Sequence, residues 1–159
     1  MKVQIDSNNL SDSNPAINLA KWISDIPMVY YPHGLQPAAI RFKSSLQENA
    51  KTHVITENII ESCHNGVVAW EKLSKVQPIL LRGEDDFIKT KERFEIIKKF
   101  FIKNNIDFKE INSISGNILT KTISLMYMLD YTTIYHAVLL KIDPSPVNAI
   151  DFIKEELKK

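Results

Sequence analysis

One cysteine among 159 residues rules out a disulfide within the chain and makes a reducing, cytoplasmic setting the expected one. Only four glycines are present, and no glycine-rich phosphate cradle can be picked out. Twenty basic residues stand against nineteen acidic ones, and the net charge of +1 gives no electrostatic ground for nucleic acid or a membrane surface as partner. No apolar run approaches the length that spans a bilayer. The opening MKVQIDSNNLSDSN is polar and has no apolar signal region, so no targeting signal is expected.

What is present describes one globular domain. An apolar content of 44% and a charged content of 25% suit a folded core, and the length suits a single domain. Residues 1–13 read as a tail or linker and residues 14–159 as the domain. Four β-rich runs stand out: PMVYY (27–31), THVIT (52–56), PILL (78–81) and IDFKEI (106–111). Helical stripes alternate with them. Ala16, Leu19, Ala20 and Ile23 follow an Asn14-Pro15 start; Leu35, Ala39, Phe42, Leu46 and Ala50 form the next stripe. Residues 59–74, 87–103 and 116–140 are further predicted helices, and a last one follows PSPV. Strands alternating with helices predict a mainly parallel sheet covered on both faces, a three-layer α/β/α sandwich.

The stretch LQENAKTHVITENIIESCHNGVVAWE, residues 46–71, concentrates the chemistry. Cys63 and His64 are adjacent and lack CxxC or HExxH spacing, so neither a metal nor a cofactor is expected. Cys63 reads as a small packed hydrophobe and His53 as a sheet-edge histidine. Glu48 stands apart. It falls where the second helix should end, and a carboxylate at the negative end of a helix is badly placed for stability. The same placement tends to raise its pKa, which suits a general base working near neutrality. His64, beside Asn65-Gly66, is a candidate donor or acceptor on a turn.

RFKSSLQENAK followed by IESCHNGVVAWE resembles the second sugar-isomerase (SIS) domain of the bifunctional phosphoglucose/phosphomannose isomerases. In that pattern an Arg-x-Lys helix ends in Glu-Asn-Ala-Lys, and a Pro-Glu-Leu-Asn-His-Asn-Glu motif comes about a dozen residues later. SLMYMLDYTTIYHAVLLKIDPSPVNAIDFIKEEL resembles the family's ending, with Asp130, Thr133, Tyr135, Asp143, Pro144, Pro146 and Lys154 at matching positions. The resemblance implies a flavodoxin-like SIS fold and aldose–ketose isomerisation through a cis-enediol. It implies Glu48 as the base, His64 as the ring-opening group reaching a neighbouring subunit's site, and Lys154 as the group polarising the sugar oxygens. Arg41, Lys51 and Ser145 are the implied substrate-binding residues. Implied ligands are fructose 6-phosphate, glucose 6-phosphate and mannose 6-phosphate. A homodimer and a separate N-terminal SIS-domain partner are the implied macromolecular partners.

Departures from the pattern bear on activity. Gly66 stands where the family's second motif has Glu, Ile60 and Cys63 replace its Pro and Asn, and Ser145 replaces Thr. The relatives are twice as long, and their first SIS domain supplies the phosphate-gripping loop. The best local substitute is NSISGN, with Ser113 and Ser115, whose plainer reading is a helix N-cap. Expected function is therefore an isomerase C-terminal half, weak or inactive without its N-terminal half. The alternative is a non-catalytic module for sugar-phosphate binding or dimerisation.

Overall fold

A computed structural model describes residues 5–158. Four strands, β1 Ile26–Tyr31, β2 Ile55–Asn58, β3 Val76–Arg82 and β4 Lys109–Asn112, form a sheet in the order β2-β1-β3-β4. Every strand pair is parallel, so each connection must cross the sheet. The helices are α1 (Pro15–Trp22), α2 (Gln36–Ala50), a single turn α3 (Ile59–Ser62), α4 (Ile88–Lys103), α5 (Ile118–Leu139) and α6 (Asn148–Glu156). Helix α2 joins β1 to β2, α3 and the 3₁₀ helix Gly66–Glu71 join β2 to β3, and α4 joins β3 to β4.

The pleat sorts side chains between two cores. Val29, Tyr31, Ile79 and Leu81 face Leu19 of α1, Phe42 and Leu46 of α2, and Leu125 and Leu129 of α5. Tyr30 and Leu80 face the other way, against Ile59, Phe94, Ile97 and Phe101 of α3 and α4. The result is the expected α/β/α sandwich. Helix α1 starts where the Asn14 side chain accepts from the Ala16 and Ile17 N–H groups at 3.0 and 3.2 Å, with Pro15 at the first helical position. Helix α5 packs between α1 and α2 and over the sheet, and it is apolar on its uncovered side as well.

Two local expectations shift. The β2 strand starts at Ile55 rather than Thr52, because Lys51 ends α2 in the left-handed region (φ 53°) and the chain needs the following residues to turn. His53 thus precedes the strand and is exposed. The helix expected over 59–74 breaks into one α turn and the 3₁₀ segment, since Gly66 and the β-branched Val67 and Val68 are weak α-formers. At the other end, residues 1–4 lie outside the described residues, but Ile5 is fully buried. Its carbonyl accepts from the Tyr135 hydroxyl at 2.9 Å, which ties the leading segment to α5.

Tyr30 sits at the centre of the smaller core, and its hydroxyl accepts from Trp70 Nε1 at 2.7 Å. Trp70 in turn packs edge-on against Phe101, with ring centroids 5.3 Å apart. Burial pushes the Tyr30 phenol from 10.0 up to about 12. Because the folded value is the higher one, the unfolded chain loses this proton first. The contribution of Tyr30 to stability is full below about pH 10 and is lost as pH rises to about 12, by about 2–3 kcal/mol. Denaturant melts at pH 9 and pH 12 should show this slope, and Tyr30→Phe should flatten it. An unchanged slope in the variant would place the alkaline transition elsewhere.

Candidate functional site

Phe42, Leu46 and Ala50 turn one face of α2 into the core, which leaves Gln47 and Glu48 outward on its last turn. There Glu48 is exposed and lines a cleft of about 310 Å³. One wall is Gln47, Glu48 and Lys51; the other is Pro146 to Ile150, the start of α6 and its approach. The second wall comes from a turn in which Asp143 Oδ1 accepts the Ser145 N–H at 2.9 Å. Hydrogen bonds from the Ser145 backbone and side chain, and more weakly the charge of Lys51, hold the Asp143 carboxyl below its ordinary range. Ser145 itself is exposed. Lys154 is exposed too, 3.9 Å from Asp151, and stands one helical turn beyond Ile150, outside the cleft lining.

Lys51 does not present its ammonium to the cleft as a free charge. Nζ donates to the Glu48 carbonyl at 2.6 Å and to the Pro146 carbonyl at 2.7 Å, with the Pro144 carbonyl at 3.4 Å. Arg41 is likewise committed within the chain. Its Nε and Nη2 each donate to Asp130 at 3.1 Å, and Asp130, with a smaller push from Glu48, raises the guanidinium above its ordinary value.

Asp130 also accepts from the Ser45 hydroxyl at 3.1 Å. Asn49 Nδ2 donates to Thr133 Oγ1 at 2.8 Å, and that hydroxyl donates to the Asp130 carbonyl at 2.8 Å. This polar seam clamps the last two turns of α2, with Glu48 on them, to α5. The sequence pattern by itself assigns no such role to Ser45, Asn49, Asp130 or Thr133. A signal exists all the same: Arg41, Ser45 and Asn49 recur at four-residue spacing, as one face of a helix must.

His64 follows α3 on the opposite face of the sheet and is exposed. Among the described residues the cleft walls come from α2 and from α6 with its approach, so one copy of the chain does not bring His64 to Glu48. Cys63 is half-buried, and burial raises its thiol. Beside it, a Cβ on Gly66 would stand 2.5 Å from Glu57 Oε2, so the carboxylate of Glu57 fills the space a side chain at 66 would use. Burial, then the charge of Glu61, raises the Glu57 carboxyl. The expectation that Ser113 or Ser115 caps a helix is corrected: Asn117 caps α5 by accepting from the Thr120 N–H at 2.9 Å.

The sheet's own crevice lies elsewhere. Connections diverge from β1 and β3, and a doubly wound sheet binds ligands outside the carboxyl ends of such strands. The loop after β3 carries Glu84, Asp85 and Asp86 there, with Ser115 bonded to Glu84 and Lys121 paired with Asp85. That acidic rim is unsuited to a phosphate. Helix α2 returns from the carboxyl edge to the amino edge, so Glu48 lies at the far end of the sheet from this crevice. Among the described residues no group of three or more His, Cys, Asp or Glu could hold a metal, and no helix is long and apolar enough to cross a membrane.

Comparison with known proteins gives concordant matches. A family model described as bacterial phospho-glucose isomerase C-terminal SIS domain matches residues 12–157. A bifunctional phosphoglucose/phosphomannose isomerase of Aquifex aeolicus is 31% identical over 137 residues, covering 84% of this chain and 43% of the relative. One from Caldicellulosiruptor bescii is 29% identical, covering 88% and 44%. The chain thus spans less than half the length of either relative. Among solved structures, a glucose-6-phosphate isomerase like protein from Thermus thermophilus superposes with a TM-score of 0.74 at 19% identity, over 97% of this chain and 51% of that one.

The seam makes a stability prediction. Asp130→Ala strands the buried Ser45 hydroxyl and frees Arg41, and should lower unfolding free energy by about 1–2 kcal/mol in urea melts. Glu48→Gln removes an exposed carboxylate from a helix C-terminus and should change it by less than about 0.5 kcal/mol. Equal losses from the two would mean that the seam does not hold α2.

Proposed function

This chain belongs to the bacterial phospho-glucose isomerase C-terminal SIS domain family, and on that premise we propose that it is the base-bearing half of a sugar-phosphate aldose–ketose isomerase. The observation that carries the reading is the exposed Glu48 carboxylate on the α2–α6 cleft, held on a helix turn that the Asp130 seam fixes in place. In the proposed reaction Glu48 takes the proton from C2 of the open-chain aldose, the C–H electron pair forms the C1–C2 double bond and the carbonyl pair moves onto O1, giving the cis-enediol as its anion. The hydroxyl proton passes from O2 to O1, the Glu48 carboxyl returns its proton to C1, and O2 becomes the carbonyl of the ketose. Lys154 stabilises the charge that develops on the sugar oxygens. His64 protonates the ring oxygen to open the sugar, and its place on the other face of the sheet supports contribution from a second copy. Fructose 6-phosphate, glucose 6-phosphate and mannose 6-phosphate are the proposed substrates.

The phosphate is assigned to a separate N-terminal SIS half. Two features support this: the acidic loop Glu84–Asp86 at this chain's own crevice, and the distance along α2 between that crevice and Glu48. Without the other half, the remote binding energy that holds a sugar against the base is missing. Lys51 we assign to shaping the cleft wall and Arg41 to holding α2 on Asp130, since both charges are engaged within the chain. The hydroxyl of Ser145, exposed beside that wall and bonded to Asp143, is assigned to accept from the sugar. A catalytically silent module is the alternative, and Gly66 in place of the family's Glu is the feature that favours it.

The purified chain should isomerise fructose 6-phosphate barely or not at all, and addition of a first SIS half should restore turnover. Vigorous turnover by the chain alone would show that the phosphate is held here after all. In the reconstituted enzyme Glu48→Gln should abolish incorporation of solvent deuterium into the sugar while leaving fructose 6-phosphate binding measurable by calorimetry. Retained exchange would remove Glu48 from the chemistry and leave the silent-module reading.

Assembly is the companion proposal. The outer side of α5 exposes Leu119, Ile123, Ile134 and Val138, a stripe of the kind that two-fold interfaces cover. Light scattering at micromolar concentration should return twice the mass of the chain. A monomer at that concentration would count against a site shared between copies.

A further inference from the structure

Lys51 adopts a backbone conformation that lysine rarely takes. Its φ of 53° closes α2 in the left-handed region, where glycine or asparagine is the usual choice and a larger side chain is strained. The backbone there needs only a C-cap: the Lys51 N–H bonds the Leu46 carbonyl, and Thr52 N–H reaches the same oxygen at 3.5 Å. Glycine would serve that purpose better. Lys141 follows α5 in the same conformation (φ 57°), so what sets Lys51 apart is what its side chain bonds.

The side chain joins two segments remote in sequence. One is the Glu48 carbonyl, among the last carbonyls of α2, which lack a partner inside the helix. The other is the Pro144–Pro146 backbone, 93 to 95 residues further on, whose carbonyls face the ammonium while the Asp143 carboxylate adds its field. Little apolar burial holds this segment. Among the described residues α6 buries no side chain, and Ile150, Phe152, Ile153 and Leu157 remain exposed. A nine-residue helix is also below the length of about 12–15 residues at which isolated helices become marginally stable in water.

We propose that Lys51 is a positioning residue: a latch that pins the 143–157 arm to the last turn of α2, so that the far wall of the Glu48 cleft exists only while the latch is closed. The consequence for chemistry rests on the reading of Glu48 as the base; the latch itself does not. Lys154 rides on the same arm, so the latch would set the distance between the proposed base and the proposed polarising group.

Hydrogen–deuterium exchange of the full chain tests the latch without reference to turnover. In the wild type, amides of 150–156 should be protected. Lys51→Met, which keeps the stem and removes the donors, should speed their exchange at least tenfold while leaving β1 and β3 unchanged. Lys51→Gly, which relaxes the left-handed backbone and also removes the donors, should do the same, separating the latch from the cap. Lys51→Arg keeps donors on a stem of similar reach and should retain protection. An arm unprotected in the wild type, unchanged exchange in Met and Gly variants, or an Arg variant as open as Met would each overturn the latch while leaving the Glu48 assignment untouched. In the reconstituted enzyme, Lys51→Met should lower kcat at least tenfold with KM for fructose 6-phosphate changed less than threefold. Wild-type kcat alongside an opened arm would overturn the positioning role.

Discussion

The packing of α5 along α2 is the contact on which the rest of the molecule depends. Helix α5 supplies Leu125 and Leu129 to the larger core, covers the sheet face, and receives Ile5 and α1 on its other side. The same helix carries Asp130 and Thr133, which hold the end of α2 by polar bonds beside an apolar contact. Apolar burial alone would allow α2 to slide by a fraction of a turn, because hydrophobic contact is non-directional. The bidentate Arg41–Asp130 pair and the Asn49–Thr133 bond have directions, and they remove that freedom. Placement of Glu48 is thus a by-product of how the domain closes its core.

The sheet separates the two proposed catalytic groups for a topological reason. In a parallel sheet every crossover runs back towards the amino edge, and a right-handed crossover changes face where the strand order reverses, as it does between the β1–β2 and β2–β3 connections here. Glu48 is at the end of a crossover on one face, and His64 follows the start of a crossover on the other. No side-chain rotation can close a gap that the sheet itself creates. The crevice at the carboxyl edge carries a cluster of carboxylates partly neutralised by Lys121, an arrangement that suits neither a phosphate nor a second base.

Much of the fold was legible in the sequence because it rests on local rules. Periodicity placed α2, α4 and α5 and the centres of β1 and β3 to within a few residues, and Asn14-Pro15 marked the start of α1. Periodicity failed where backbone preference overrode it, at Gly66-Val67-Val68 and at the left-handed Lys51, which pushed β2 towards Asn58. At the site, Glu48 was visible because a carboxylate at a helix end breaks a local rule. The partners of Lys51 were invisible: all are main-chain carbonyls, two of them more than ninety residues away, and carbonyls leave no mark on a sequence. Asp130 was visible as a motif residue but not as the acceptor for three side-chain groups of α2, because that needs the two helices to be side by side.

Opposite-face placement of Glu48 and His64 has a consequence for how a population of such molecules would behave. If both groups serve one sugar, the catalytic unit is a pair of copies and each copy is half of two sites. Inactivity would then be a property of combinations. A copy lacking the base and a copy lacking the histidine, each inert with its own kind, would form a mixed pair in which one of the two sites has both groups. Activity would also fall with dilution faster than in proportion to protein, once the concentration drops below that at which pairs come apart. The thickness of a single β-sheet would in this way make the rate sensitive to how many molecules the cell holds.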